Sequence, residues 1–351
     1  MRLKERKYLW PRIISIVTSI FWASSIWSFS EVEINKAWDS VLLKFVKDNG
    51  KISKFKSFDE KTINYIKLEG KGKKGGLVFL AGQGDPYIRY YEALYDLQKR
   101  GYSPIYAMDH RGQGQSERIL PDDPLKGHVE DFHHYIRDFD FFIKKVVSPG
   151  QHKKLYLIAH SMAGAISTLY LMDRPENQKT FKAVALVAPM FMINGGYYPN
   201  TVMKLMSKAL CLSKKMCREY APGLKGSNLL TDYSKNTETS SKARWMQSQR
   251  FSTIYKKAFI SGPTSKWVYE ALGASSKIGR YGGKIKTPII LLQAGKDSFV
   301  RPKAQKNFCK KSASQCQLVI LPESLHSILA ERDPIRNLAF KHITSYFDMK
   351  F

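Results

Sequence analysis

The sequence predicts an α/β fold, with a mostly parallel central sheet, helices on both faces and an inserted helical lid. Short apolar runs alternate with segments whose apolar residues recur at helical spacing, which is typical of a parallel sheet covered by helices. The apolar runs are continuous rather than alternating, as expected for strands that are buried on both faces. The alternation breaks between residues 190 and 262, and this break predicts the insertion.

The elements can be predicted in chain order. Residues 52–70 are expected to form two strands that precede the apolar core strands. The first of those, "LVFL", ends in the small-residue loop "AGQG". A helix ending at Gly101, the strand "SPIYAMD", the loop "HRGQGQS" and a helix ending at Pro149 follow. The later strands are "LYLIAHS", "AVALVAPM", "TPIILLQAG" and "QLVILP", and the predicted helices are "AGAISTLYLMDR" and "IRNLAFKHITSYFD".

The same pattern predicts how the chain divides. Residues 1–30 are expected to be a signal peptide or membrane anchor. Residues 31–190 and 263–351 are expected to form the two parts of the α/β core, and residues 191–262 the lid between them.

The amino terminus favours a targeting segment. "MRLKERKYLWPR" carries five basic residues and one acidic residue, and an uncharged run follows over residues 13–30. A basic segment before a short apolar run resembles a secretory signal. An uncleaved anchor, with Trp22 and Trp27 at the membrane interface, is the second interpretation. A buried core helix is the third.

The charge points to an anionic partner. The chain has 351 residues, of which 43% are hydrophobic, and a formal net charge of +27. Such a charge favours nucleic acid or a phospholipid surface, and the sequence holds no nucleic-acid-binding motif to support the first. We therefore expect an anionic membrane surface and no nucleic acid. A lysine-rich composition without functional meaning is the alternative.

The predicted lid contains a basic amphipathic helix. Its apolar residues Val202, Leu205 and Met206 share one face, while lysines lie largely elsewhere. Such a helix can rest on a membrane surface, or it can pack as a cap on the core. Both placements are compatible with a lid that handles lipids.

Four cysteines fall in two close pairs, Cys211 with Cys217 and Cys309 with Cys316. In an exported protein they suggest disulfides, although four cysteines allow three connectivities. A bridge within the first pair requires a helix end near residues 212–215, because six helical residues rise about 9 Å and the Cα limit is about 7 Å. Four free thiols in a reducing cytosol are the alternative.

The segment "AHSMAG" indicates a catalytic serine. It lies between a predicted strand and a predicted helix, and it nearly matches the G-x-S-x-G turn that projects a nucleophilic serine, here Ser161. Such a serine needs a base and an orienting acid, in the chain order serine, acid, histidine. Asp297 and His326 fit that order, each beyond the end of a predicted strand. Individually, each could be an ordinary turn or surface residue.

Two backbone amides are expected to bind the oxyanion of the reaction. The amide of Met162 follows the serine at the start of a helix, where it can face developing negative charge. The second donor should come from the "AGQG" loop after the "LVFL" strand, and its third residue, Gln83, is our candidate.

Taken together, these motifs resemble the α/β-hydrolase superfamily, and more closely the bacterial lysophospholipases related to monoacylglycerol lipases. The resemblance spans roughly residues 63–347 and is carried by "MDHRGQGQSER", "LIAHSMAGAISTLYL", "LLQAGKD" and "LHSILAERD". It implies a Ser161–Asp297–His326 triad and a Gln83–Met162 oxyanion hole. It also implies that the loop beginning at Asp109 is a structural scaffold.

The resemblance implies a serine ester hydrolase acting on single-acyl lipids, with a lysophospholipid preferred. Monoacylglycerol lipase, general carboxylesterase and a catalytically decayed membrane-surface binding protein are the alternatives. No cofactor, metal or obligate protein partner is expected. The expected location is the cell envelope, periplasmic or exported, with a cytoplasmic membrane-associated protein as the alternative. The substrate is expected to contact Met190, Phe191, Tyr197 and Tyr198.

Overall fold

The structure, a computed structural model, describes residues 29–224, 232–312 and 315–349. The predicted signal or anchor lies outside these residues, apart from its last two positions. Within the described ranges, no helix combines the length and the apolar character needed to span a bilayer.

The described residues form ten strands. They are β1 (Gly50–Lys56), β2 (Thr62–Leu68), β3 (Gly75–Leu80), β4 (Tyr102–Met108), β5 (Lys126–Gly127), β6 (Leu155–His160), β7 (Ala183–Val187), β8 (Gly262–Pro263), β9 (Ile289–Ala294) and β10 (Cys316–Leu321). Eight of them form one sheet in the order β1-β2-β4-β3-β6-β7-β9-β10. The β1–β2 and β2–β4 pairs are antiparallel, and the other pairs in that sheet are parallel. The short strands β5 and β8 pair separately.

Helices cover both faces of the sheet. They are α1 (Ile34–Ala37), α2 (Leu43–Asn49), α3 (Tyr91–Lys99), α4 (His133–Phe142), α5 (Met162–Asp173), α6 (Asn200–Leu210), α7 (Lys214–Cys217), α8 (Lys242–Ile254), α9 (Ser265–Tyr281), α10 (Pro302–Lys311) and α11 (Asp333–Phe347). Short π-helical segments join α1 to α2 and extend α4.

The sheet separates two apolar cores. In β3, Val78 and Leu80 face one core, while Leu77 and Phe79 face the other, and all four side chains are fully buried. The first core is closed by α4, α5, α9 and α10. The second is closed by the amino-terminal helices, α3 and α11, with residues of α8. Burial on both faces explains why the strand sequences are continuous apolar runs.

The insert, residues 191–262, has two parts that pack in different places. Its first part contains α6 and α7, and α6 packs against α9. Its second part contains α8, which places Phe251 against Trp38 of the amino-terminal helical segment, with 4.0 Å between ring centroids. Helices α8, α9 and α10 and the helices before β1 were not predicted from the sequence.

The cysteines pair locally, Cys211 with Cys217 and Cys309 with Cys316. Helix α6 ends at Leu210, and a turn brings the Cα atoms of the first pair within 4.2 Å. The helix therefore ends between the two cysteines, as the Cys211–Cys217 disulfide requires. The second disulfide joins α10 to the strand that follows it, β10.

Candidate active site

Ser161 occupies a strained turn between β6 and α5. Its backbone has φ 52° and ψ −117°, a conformation that residues other than glycine rarely adopt and that is common at functional sites. Three hydrogen bonds hold it there. The Ser161 N–H donates to the Val187 carbonyl at 3.0 Å, and the Ser161 carbonyl accepts from Gly164 and Met190 at 2.9 Å each.

The small residues around Ser161 are required by close packing. A Cβ added to Gly164 would lie 2.5 Å from Cβ of Pro189, and one added to Gly82 would lie 3.0 Å from Cβ of Ser161. Both distances are too short for carbon atoms to tolerate without a shift. The turn after β6 and the loop after β3 therefore approach each other closely enough to share one site.

Three side chains that are distant in the sequence form a hydrogen-bonded chain. Nε2 of His326 lies 2.9 Å from Oγ of Ser161, and Nδ1 lies 2.7 Å from Oδ2 of Asp297. The second carboxylate oxygen of Asp297 accepts the backbone N–H groups of Phe299 and Val300. With the proton of His326 on Nδ1, Nε2 is free to accept the serine proton, as a general base requires.

Buried contacts hold the loop that carries His326. The carboxylate of Glu331 is buried and accepts the N–H of Leu325 at 2.7 Å and that of Ser240 at 3.0 Å. The N–H of Ser327 donates to the Glu238 carbonyl at 2.8 Å. The second part of the insert is therefore bonded directly to Ser327, after the imidazole, and through the Glu331 carboxylate to Leu325, before it.

The two predicted oxyanion donors lie on neighbouring loops. Strands β3 and β6 are adjacent and parallel, so the loops that follow them meet at one edge of the sheet. Met162 is the first residue of α5, where a backbone N–H has no partner within the helix. Among the described residues, the backbone N–H of Gln83 also has no hydrogen-bond acceptor. Both amides are available to an oxyanion.

His160 adjoins the nucleophile but faces a different set of partners. Its Nδ1 lies 3.0 Å from the hydroxyl of Tyr90, which donates to Asp85. Burial, and to a smaller extent the neighbouring His326, lowers the pKa of His160 to about 4. The ring is therefore neutral at pH 7. It places no positive charge beside the His326 ring, whose centroid is 5.0 Å away.

The four residues predicted to contact substrate lie in different environments. Met190 and Phe191 are buried, and the ring of Phe191 packs on Phe308 with centroids 4.5 Å apart. Tyr197 and Tyr198 are exposed on the insert. Met190 and Phe191 therefore belong to the interior, whereas Tyr197 and Tyr198 lie at the surface.

Phe299 is among the residues at the site that the sequence did not indicate. The half-exposed ring of Phe299 lies 4.9 Å from the ring of His326, centroid to centroid. The available signal was its position two residues after Asp297, in the loop that carries the acid. An exposed aromatic ring against the imidazole can shield the site from water on that side.

The loop after β4 has the character of a scaffold. Burial raises the pKa of Asp109 to about 7, and its two oxygens accept the N–H groups of Tyr87 and Gln115. The guanidinium of Arg111 is buried between the carboxylates of Asp138, at 2.6 Å, and Asp59, at 2.9 Å. These contacts join the loop to three other segments of the fold.

The chain is similar to known hydrolases and lipases. A family model described as serine aminopeptidase, S33, matches residues 71–333. Lysophospholipase L2 of Escherichia coli K12 is 30% identical over 302 residues, which cover 84% of this chain and 87% of that protein. Monoglyceride lipase of Rattus norvegicus is 24% identical over 275 residues, which cover 77% and 80%.

Among solved structures, a soluble variant of monoglyceride lipase from Saccharomyces cerevisiae, in complex with a substrate analog, has a TM-score of 0.68. It is 19% identical, and the match covers 85% of this chain and 94% of that one. At this identity the likeness establishes the fold. The fold is therefore the α/β-hydrolase fold, as in lysophospholipase- and monoacylglycerol lipase-like proteins. The chain belongs to the serine aminopeptidase S33 family and is a carboxylic ester hydrolase.

Proposed function

We propose that this protein is a lysophospholipase that releases the fatty acid of single-acyl lipids through an acyl-enzyme on Ser161. The observation that carries the proposal is the hydrogen-bonded chain from Ser161 through His326 to Asp297, at a strained turn. The choice of substrate is supported by the 30% identity to a protein named lysophospholipase L2.

Acylation begins when Oγ of Ser161 attacks the ester carbonyl carbon. Nε2 of His326 takes the hydroxyl proton as the new C–O bond forms, and the carbonyl electrons move onto oxygen. The backbone amides of Gln83 and Met162 bind this oxyanion. A single donor of this kind contributes about 10²- to 10³-fold to kcat. Asp297 stabilises the imidazolium that forms and holds its orientation.

Collapse of the tetrahedral intermediate breaks the bond to the glycerol oxygen. His326 donates its proton to that oxygen, and the acyl group stays on Ser161. His326 then takes a proton from water, the hydroxide attacks the acyl carbonyl, and the proton passes to Oγ as the fatty acid leaves. The imidazole of His326 therefore accepts and donates each proton that is transferred in the two half-reactions.

We also propose that the first part of the insert docks on an anionic membrane as a lid. Helix α6 packs with Met203 and Ser207 inward, and leaves the side chains of Val202, Leu205 and Met206 exposed. Its lysines supply attraction to anionic lipid. An exposed apolar face of this kind is characteristic of an interaction surface.

An exported location is part of the proposal, because disulfides persist in oxidising compartments. Two disulfides and the basic, then apolar, amino terminus support it. The mass of the mature chain tests it. Loss of the first 30 or so residues supports a cleaved signal, whereas an intact Met1 end supports an anchor or a cytoplasmic, membrane-associated protein.

Hydrolysis of a lipid panel tests the substrate. Lysophospholipids, monoacylglycerols and short-chain esters are compared at matched concentrations, with Ser161→Ala as the inactive control. Highest kcat/KM on lysophospholipid supports the proposal, and highest kcat/KM on monoacylglycerol supports the second candidate, which the rat relative favours. Absence of fluorophosphonate labelling at Ser161 would indicate a binding protein without catalysis.

A further inference from the structure

The loop that carries the candidate oxyanion donor is held by side chains of the loop after β4. Strands β3 and β4 are adjacent and parallel, so the loops that follow them lie side by side. Nε2 of His110 donates to the Ala81 carbonyl at 3.1 Å, and Asp109 accepts the N–H of Tyr87 at 2.9 Å. These two bonds fix the ends of the loop.

Between those ends, Gln113 holds the middle of the loop. Its buried carboxamide donates from Nε2 to the Gly82 carbonyl at 2.8 Å, and its Oε1 accepts the N–H of Gly84 at 3.1 Å. A carbonyl can only accept and an N–H can only donate, so these partners fix the orientation of the amide group. Gln113 therefore bonds on both sides of Gln83.

The bond to the Gly82 carbonyl bears directly on the oxyanion donor. The carbonyl of Gly82 and the N–H of Gln83 belong to one peptide group, which is planar and trans. The two therefore point in opposite directions. A donor that fixes the Gly82 oxygen on one side also fixes the direction of the Gln83 N–H on the other. Hydrogen bonding to the carbonyl also polarises the same peptide and strengthens its N–H as a donor.

Within the loop, this peptide has one longer hydrogen bond, from the Asp85 N–H to the Gly82 carbonyl at 3.3 Å. Gly82 lacks a side chain because Ser161 is too close, and Gly84 has φ +77°, a region that favours glycine. A glycine on each side of Gln83 makes the loop backbone permissive, so a shorter hydrogen bond from another segment restrains the peptide further. Gln113 is the side chain that does so.

We propose that Gln113 is a positioning residue that aims the Gln83 N–H at the oxyanion. The proposal rests on the proposed function, because it presupposes that Gln83 binds the oxyanion of an acyl transfer. It assigns Gln113 no contact with substrate. Its effect is confined to the transition state, where the oxyanion is fully developed.

Gln113→Met tests the proposal, because methionine matches the shape of glutamine and lacks its hydrogen bonds. The control is Gln115→Met, at an exposed position of the same loop. We expect kcat on a single-acyl ester to fall about 10²-fold, with KM within about threefold. Affinity for a trifluoromethyl ketone, which forms a tetrahedral adduct on serine, should fall by the same factor. Affinity for an ether analogue of the substrate should not change.

Gln113→Glu gives a second readout. The protonated carboxyl introduced there can donate to the Gly82 carbonyl, whereas the ionised form places charge against that oxygen. The kcat of this variant should therefore fall with rising pH, relative to the wild type and Gln115→Glu at each pH. A purely structural role would not produce this added pH dependence.

The outcomes separate the two proposals. If Ser161→Ala abolishes hydrolysis but Gln113→Met retains kcat and ketone affinity, the inference about Gln113 is wrong and the proposed function stands. Equal losses of ketone and ether affinity would also overturn it, because they indicate a general distortion of the site. Hydrolysis that survives Ser161→Ala would instead overturn the proposed function.

Discussion

At the scale of single residues, the site separates the groups that react from the groups that orient them. In the proposed mechanism Ser161 and His326 exchange the proton, while Asp297, Glu331 and Gln113 act through hydrogen bonds to a ring or a backbone. Most of these orienting bonds involve backbone groups. Their energies are individually modest, but each fixes a direction on which the chemistry depends.

Asp297→Asn tests the orienting role of the acid. The amide oxygen can still accept from His326, but the negative charge that stabilises the imidazolium is lost, and the amide can favour the wrong tautomer. We expect kcat to fall about 10³-fold or more, with little change in KM. Steady-state kinetics measure this, with Asp348→Asn at the surface as the control. A loss under tenfold would contradict the role.

His160 predicts a particular dependence of stability on pH. Its pKa is about 4 in the folded protein and near 6.5 when unfolded, so the unfolded chain binds the proton first as the pH falls. As the pH falls from 6.5 to 4, burial of the neutral ring therefore lowers the free energy of unfolding, by on the order of 3 kcal/mol in total.

His160→Gln removes this cost. Chemical denaturation at several pH values should show the wild type losing more stability than the variant below pH 6.5, with no difference in slope above it. Comparing the two proteins cancels other titrating groups, including Asp109, whose raised pKa acts in the opposite direction. Parallel curves from pH 7 to 4 would show that His160 is not buried in its neutral form.

The sequence suffices to propose the reacting residues but not the ones that position them. Ser161, Asp297 and His326 follow from motif and chain order. The partnership of Gln113 with the loop at Gly82 depends on two loops becoming neighbours when β3 and β4 pair. Nothing in either loop alone indicates this pairing.

At the scale of elements, apolar patterning predicted the strands well and several helices poorly. Each predicted strand is present, because burial on both faces leaves a continuous apolar run. Helix α10 buries little beyond Gln305, Phe308 and Cys309, and its remaining residues are mostly polar. Helix α8 has its apolar residues spread around its circumference. Helix α8 therefore lacks the periodic signal on which sequence prediction relies, whereas α10 is amphipathic but carries few apolar residues.

The disulfide between α10 and β10 should stabilise the whole fold. The disulfide closes the short loop between Cys309 and Cys316 and so lowers the entropy of the unfolded chain. This stabilises the folded protein by about 2 to 3 kcal/mol. We expect replacement of both Cys309 and Cys316 by serine to lower the free energy of unfolding by that amount in urea. Replacing Cys211 and Cys217, which join α6 to α7 and close a loop of nearly the same length, should lower it by a similar amount on the same argument. Equal, negligible losses would contradict this assignment.

At the scale of the whole molecule, the net charge and the exposed apolar surface both favour contact with an anionic membrane. A net charge of +27 favours approach to an anionic bilayer, and the exposed face of α6 offers apolar contact once there. The fold class followed from the sequence because alternating strands and helices leave few architectures open. The packing of the insert could not be predicted, since its two parts bind different regions of the core.

Leu205→Glu tests the docking surface. We expect weaker binding to anionic vesicles and slower hydrolysis of lipid presented in them, because the apolar contact is lost. Turnover of a soluble short-chain ester should be unchanged. Sedimentation with vesicles of 30% anionic lipid, about the range in which such surfaces attract basic segments, measures this. Lys47→Gln, at an exposed lysine of α2, lowers the net charge by the same one unit and is the charge control. Equal binding by all three proteins would contradict docking through α6.

The acyl-enzyme is the most direct test of the account. The protein is mixed with a lysophospholipid, quenched in acid during turnover and digested, and the peptide containing Ser161 is weighed. We predict a mass increase of one acyl group on that serine, and neither adduct nor turnover for Ser161→Ala. Continued turnover with no acyl group on Ser161, or full activity of Ser161→Ala, would contradict the account.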